Sequence, residues 1–114
     1  MAEDLRPLPG PYEMLDLPDR GSVTLKISSW ERGSILIHPK YPGAPAEKLI
    51  EAVRTHLMPG VKEFPPMYYD ITSKTLNAQL LPFLMAADFK DYSYTIVKHG
   101  VAPRARFTLE RTPL

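Results

Sequence analysis

Prolines restrict the folds open to this chain more than any other feature of its sequence. Thirteen of them occur in 114 residues. Proline fixes φ and has no backbone N–H, so it stops helices and is excluded from interior strands. The proline clusters therefore indicate stiff loops, and the apolar segments between them indicate the regular elements. The prolines lie within residues 7–18, 39–45 and 59–66, and at Pro82, Pro103 and Pro113.

The N-terminal segment, residues 1–20, is predicted to be extended because its prolines rule out a helix. Its apolar side chains favour packing against the rest of the chain rather than free motion. Residues 21–114 are predicted to form a single α+β domain, since 114 residues is a common size for one domain and 44% hydrophobic residues suffice for a core.

Alternation of apolar and polar residues predicts strands at residues 22–28, 34–38, 92–98 and 104–110. A fifth, buried strand is predicted at residues 67–71. Residues 30–33 are predicted to be a hairpin loop in which Gly33 takes the left-handed conformation. Residues 99–103 are predicted to form a second hairpin.

Two segments predict helices. In residues 45–58, apolar side chains recur at helical spacing between charged ones. The second helix begins after the capping residues Thr72 and Ser73, and Pro82 interrupts it. The apolar positions are Ala46, Leu49, Ile50, Val53 and Leu57 in the first helix, and Leu76, Leu80 and Leu84 in the second.

These elements give the order ββαβαββ. We expect a mixed or antiparallel sheet of about five strands with both helices packed on one face. The opposite face is predicted to be polar and to carry Thr24, Lys26, His38, Arg104 and Arg106.

The chain contains no cysteine, which excludes disulfides, thiolate metal sites and cysteine nucleophiles. We find neither a signal-peptide pattern nor an apolar run long enough to span a bilayer. The expected location is the cytoplasm, of a cell or of a host cell, with no membrane partner.

The junction at residues 70–75 is a candidate anion site. A helix N-terminus offers free amide donors, and Ser73, Lys74 and Thr75 would add a charge and two hydroxyls. The glycines of a phosphate-binding loop are absent. The alternative interpretation is that Thr72 or Ser73 only caps the helix.

Histidines and serines give no catalytic or metal motif. The three histidines lack metal-ligand spacing, and no serine lies in a nucleophile-elbow pattern. We therefore predict no catalytic residue, no metal site and no cofactor. One alternative stays open: His38 or His99 would form a base–orienter pair if either lies close to Asp70.

Trp30 is the leading candidate for a partner contact, because an aromatic residue in a stiff loop is a common interface anchor. Arg32, Tyr41, Arg104 and Arg106 complete the predicted contact set. The partner is another protein or a second copy of this chain, for which a twofold homodimer is the commonest form.

The leading functional hypothesis is a small non-catalytic protein–protein interaction module that serves as an accessory or structural subunit of a larger assembly. The alternative is a domain or enzyme that binds a small molecule or anion at residues 70–75. A third hypothesis is a weak nucleic-acid binder that uses Arg104 and Arg106. The net charge of +1 disfavours this third hypothesis, because phosphate contacts dominate such binding.

Overall fold

Two three-stranded antiparallel sheets make up most of the fold. The computed structural model describes residues 6–40, 42–101 and 104–114. The first sheet has the order β2-β3-β4 and the second has the order β1-β5-β6. The elements in chain order are β1 (Ser22–Leu25), β2 (Ile27–Ile37), β3 (Lys48–Leu57), β4 (Tyr68–Ile71), α1 (Lys74–Leu84), a 3₁₀ turn (Phe89–Asp91), β5 (Tyr92–His99) and β6 (Arg106–Pro113).

The predicted α+β fold of order ββαβαββ is wrong. The observed order is ββββαββ, and the described residues form one α-helix rather than two. The strands divide into two sheets instead of forming one sheet of about five strands. The predicted polar face is divided too, because Thr24 lies in the second sheet while His38 follows the last residue of β2.

The segment predicted as the first helix, residues 45–58, contains the central strand of the first sheet. β3 pairs with β2 on one side and with β4 on the other. Val53 is buried on one face of the sheet, and Ala52 is buried on the other. Because the strand is covered on both faces, its apolar residues do not simply alternate.

The predicted hairpin at residues 30–33 is also absent, because β2 runs through it without a turn. Gly33 pairs with Ala52 in mid-strand. A Cβ atom there would lie 2.6 Å from the carbonyl oxygen of Arg6 and from the Leu8 side chain. Gly33 therefore permits a close approach by the N-terminal segment, and it does not form a left-handed turn.

The later elements follow the sequence-based expectation closely. The predicted strand at residues 67–71 corresponds to β4, and that at 92–98 corresponds to β5. Ser73 caps α1 as predicted, since its Oγ accepts a hydrogen bond of 3.2 Å from the amide of Leu76. The predicted interruption at Pro82 is wrong, because Pro82 lies in the last turn and α1 continues through it to Leu84.

One apolar core joins both sheets to the helix. The chain passes from the second sheet to the first at Lys26, between β1 and β2. The inner residues of both sheets then surround the leucines of α1. The buried members are Leu25, Ile27, Val53, Leu57, Ile71, Leu76, Leu80, Leu84, Tyr94 and Ile96.

Residues 6–15, here called the strap, cross the face of the first sheet opposite to α1. The strap pairs with the outer edge of β2, where the amide of Leu8 donates to the carbonyl of Ser34 at 2.9 Å. It reaches the outer edge of β4, where the amide of Asp70 donates to the carbonyl of Glu13 at 2.7 Å. Leu8 also packs with Ile35 and Ala52 in a second, smaller core.

α1 is too short to cross a bilayer, and no helix in the described ranges is both long and apolar enough to do so.

Candidate functional site

The first turn of α1 is the point where several of the predicted site residues meet. The Ser73 hydroxyl is used as the helix cap, and it also lies 3.2 Å from the Thr75 hydroxyl. Lys74 and Thr75 are exposed. The first turn contains no acidic residue, so the positive end of the helix dipole is not neutralised by its own helix.

A groove opens from this turn towards β6. Thr75 and Gln79 form one wall, and residues 104–107 form the other. The side-chain amide of Gln79 donates a hydrogen bond of 3.1 Å to the carbonyl of Phe107, which fixes the two walls relative to each other. The groove thus brings Arg104 and Arg106 beside Thr75, although the sequence placed them in separate candidate sites.

A cleft opens from the same turn in the other direction, towards β3. Its volume is about 510 Å³. Lys74 lies at its helical side and Lys48 at its strand side. The described residues that line it are Lys48, Leu49, Ile50, Glu51, Thr72, Lys74, Asn77, Ala78 and Leu81.

Lys48, Lys74, Arg104 and Arg106 together form what we call the basic rim. Within the described part of the chain, none of these four side chains has a carboxylate partner. Among the described residues that line the cleft, the acid is Glu51, whose Oε1 lies 2.6 Å from Nη2 of Arg32. The rim therefore keeps its positive charge beside the positive end of α1, an arrangement that attracts anions.

Trp30 does not lie in a loop. It is in mid-strand in β2, opposite Thr55, and its partly buried ring packs against the main core. Its indole Nε1 donates a hydrogen bond of 3.0 Å to the carbonyl of Leu84, at the end of α1. The structure thus gives Trp30 an internal role in holding the helix against the first sheet.

The two other predicted contact residues differ in what the structure shows. Arg32 is on β2, where its Nε and Nη2 atoms donate to Glu51 at 3.1 and 2.6 Å. Tyr41 lies outside the described residues.

Arg54 and Asp70 form a buried ion pair that the sequence did not reveal. Arg54 Nε lies 2.7 Å from Asp70 Oδ1, and Arg54 Nη2 lies 3.1 Å from Oδ2. The two residues are 2% and 0% exposed. The hydrogen bonds that Arg54 donates to Asp70 raise the pKa of the Arg54 guanidinium above its ordinary value. Both charged groups are therefore paired with each other inside the fold.

This pair also holds the strap in place. Arg54 Nη1 donates to the carbonyl of Pro9 at 2.7 Å, and the amide of Glu13 donates to Asp70 Oδ2 at 3.0 Å. The Arg54 guanidinium stacks over the Tyr68 ring at 4.1 Å from its centroid. Both residues lie in segments that form strands. The pair can be predicted from the sequence only if the segment that contains Arg54 is assigned to a strand rather than to a helix.

The base–orienter pair considered from the sequence is not assembled. Asp70 is fully buried and is occupied by Arg54 and the strap. His38 Nδ1 lies 3.1 Å from the carbonyl of Ala46, and His99 Nε2 lies 3.1 Å from the Thr108 hydroxyl. Among residues 6–40, 42–101 and 104–114, no cluster of histidine and carboxylate side chains has the composition of a metal site.

Comparison of the chain with protein-family models, curated proteins and solved structures gave no match.

Proposed function

We propose that this chain is a small non-catalytic interaction module that binds an acidic segment of a protein partner through the basic rim. The observation that carries the proposal is the convergence of Lys48, Lys74, Arg104 and Arg106 on the first turn of α1. Complementary charge supplies specificity and a faster association rate at such a surface. The proposal makes the chain an accessory subunit whose partner brings the negative charge.

The charge of the rim also favours a partner other than a second copy. Two copies that met rim to rim would bring like charges together, which is unfavourable. Trp30 is not part of the proposed contact, because its ring packs on the core and its N–H bonds Leu84. A cytoplasmic location belongs to the same proposal, and the cysteine-free sequence favours it.

Fluorescence anisotropy with a fluorescein-labelled acidic peptide tests this proposal. We expect binding that weakens as salt rises, because exposed charges are screened. Replacing both Arg104 and Arg106 with alanine should weaken binding about five- to thirtyfold, as expected for the loss of two exposed charge pairs of about 0.5–1 kcal/mol each.

The matched control replaces Lys26 and Lys90, which are exposed and lie outside the rim, with alanine. This variant loses the same charge and should bind the peptide almost as well as the parent chain. Equal losses in the two variants would show that net charge, and not the rim, drives binding. Binding of a single-stranded or duplex oligonucleotide but not of the peptide would overturn the acidic-protein proposal in favour of nucleic acid.

A further inference from the structure

The cleft between β3 and α1 has the size of a small-molecule site. Its volume of about 510 Å³ falls within the roughly 300–1,000 Å³ that is usual for ligand pockets. Leu49, Ile50, Ala78 and Leu81 give it apolar walls. Leu49 is 63% exposed, although it belongs to the central strand of a sheet. An apolar group in the cleft would remove this leucine from water, which is favourable.

The charges around the cleft favour an anionic ligand. Lys48 lies on the strand wall and Lys74 on the helical wall, and Lys74 is the first residue of α1, at its positive end. Among the described residues that line the cleft, only Glu51 is acidic, and Arg32 donates two hydrogen bonds to its carboxylate. From these residues, a carboxylate in the cleft would meet two ammonium groups and one carboxylate that already has a partner.

Asn77 supplies a second and independent indication of a ligand. It lines the cleft and is only 7% exposed. Its Nδ2 donates to the carbonyl of Ile71 at 2.9 Å, which fixes the orientation of the amide. Its Oδ1 is buried and has no donor among the described residues. Since a buried acceptor without a donor is unfavourable, a hydrogen-bond donor on the ligand would be stabilised here.

We propose that the β3–α1 cleft binds a small organic anion that has an apolar body and one hydrogen-bond donor. The lysines pair with its acid group, the leucines and Ala78 cover its body, and Asn77 accepts from its donor. This site shares Lys48 and Lys74 with the basic rim, whereas Arg104 and Arg106 do not line it. The peptide contact is therefore tested at Arg104 and Arg106 alone, Lys74 is left unchanged, and Lys48 is replaced only in the probe titrations.

The first test is an NMR titration with three related probes. These are 4-hydroxyphenylacetate, phenylacetate, which lacks the hydroxyl donor, and the neutral alcohol 2-(4-hydroxyphenyl)ethanol, which lacks the acid. We expect the hydroxyphenylacetate to shift the amides of residues 48–51 and 72–81 saturably. Each of the other two probes should bind about fivefold more weakly, because each loses one polar interaction.

The second test fills the cleft. Ala78→Phe places a ring in the cleft at an exposed position on α1, and it should abolish the saturable shifts. Ala87→Phe is the matched control, because Ala87 is exposed and does not line the cleft. Lys48→Ala should weaken the binding of the two acidic probes but leave the binding of the neutral alcohol unchanged.

Three results would overturn the proposal: no saturable shift with any probe, shifts centred outside the cleft, or equal effects of Ala78→Phe and Ala87→Phe. Failure here leaves the peptide contact standing, since that contact is tested by Arg104 and Arg106. Absence of peptide binding together with intact probe binding would overturn the peptide contact and leave the cleft proposal standing.

Discussion

At the scale of single residues, three side chains form hydrogen bonds through polar atoms that lie at or near the core. Trp30 donates from β2 to the end of α1, and Arg54 pairs with Asp70. Tyr94 is 0% exposed, and its hydroxyl donates to the carbonyl of Phe89 at 2.8 Å. In each case the polar group lies at or near the core, so its removal affects stability rather than surface chemistry.

Replacing Trp30 with alanine should lower the free energy of unfolding by about 2–4 kcal/mol, since a large, partly buried ring and one hydrogen bond are lost. Chemical denaturation measures this loss. Trp30→Phe keeps most of the packing and should cost about 1 kcal/mol. An unchanged Tm together with loss of peptide binding would show that Trp30 is a contact residue after all.

Arg54→Ala should destabilise the protein by about 3–5 kcal/mol, because it leaves the Asp70 carboxylate buried without its partner. Arg54→Lys keeps the charge but loses the bidentate hydrogen bonds. Its free energy of unfolding should therefore lie between those of the parent and Arg54→Ala. The midpoints of urea denaturation curves, compared at a constant m-value, report the difference in unfolding free energy between the variants. A loss below about 1 kcal/mol for Arg54→Ala would mean that water reaches Asp70.

Because the Tyr94 hydroxyl is buried, we expect the protein to lose stability at alkaline pH. Burial raises the pKa of its hydroxyl above the ordinary value of 10.0. The folded state therefore holds this proton more tightly than the unfolded state, so its stabilising contribution is complete below pH 10.0 and is lost as pH rises through the folded pKa. In Tyr94→Phe, this alkaline decline in unfolding free energy should be shallower than in the parent. Identical pH profiles would contradict this assignment.

At the scale of elements, the strap and β3 determine the architecture of the first sheet. β3 separates two apolar layers, with α1 on one face and the strap on the other. Gly33 on β2 is the point of closest approach between the strap and the sheet. The strap is therefore an integral layer of this sheet.

Gly33→Ala should lower stability by about 1–3 kcal/mol, because its Cβ would overlap the backbone of Arg6 and force the strap away. Faster hydrogen exchange at the amides of Leu8 and Ser34 would locate the damage at the strap. Gly10→Ala is the control, since its Cβ would meet no atom within 4 Å. Equal effects of the two substitutions would rule out the steric explanation.

The spacing of apolar residues explains which elements the sequence could predict. Residues four apart share a face of a helix, but they also share a face of a strand, as Leu49, Val53 and Leu57 do in β3. The same spacing occurs at Leu76, Leu80 and Leu84, where the helical prediction is confirmed. The distinguishing signals were the Ser73 cap of α1 and the β-branched residues of β3, which favour strands.

The candidate site was predicted in pieces. Lys74 and Thr75 followed from the helix start, and Arg104 and Arg106 followed from their charge. Their meeting at one turn depends on how β6 packs along α1, which no local pattern encodes. The cleft does not follow from the sequence, because its second wall is β3, whose apolar spacing also fits a helix.

At the scale of the whole molecule, the two sheets share one core. The chain passes between them at Lys26, and α1 packs its leucines against residues of both. Neither sheet buries its inner face without the other, so the fold has no independent half.

Unfolding should therefore be a single cooperative transition. Trp30 is the sole tryptophan, and its emission reports on the first sheet and α1. Hydrogen exchange of the Tyr94 and Ile96 amides reports on the second sheet. We expect the two probes to give the same free energy of unfolding. A separate, earlier transition at either probe would show that the sheets unfold independently.

The position of the strap has a consequence for behaviour at high concentration. A strand edge with unpaired backbone groups can recruit strands from other molecules and start aggregation. The strap bonds to the outer edge of β2 at Ser34 and to the outer edge of β4 at Asp70, so it covers part of each border of the first sheet. By pairing with both edge strands, the strap leaves fewer of their backbone groups available to a neighbouring molecule.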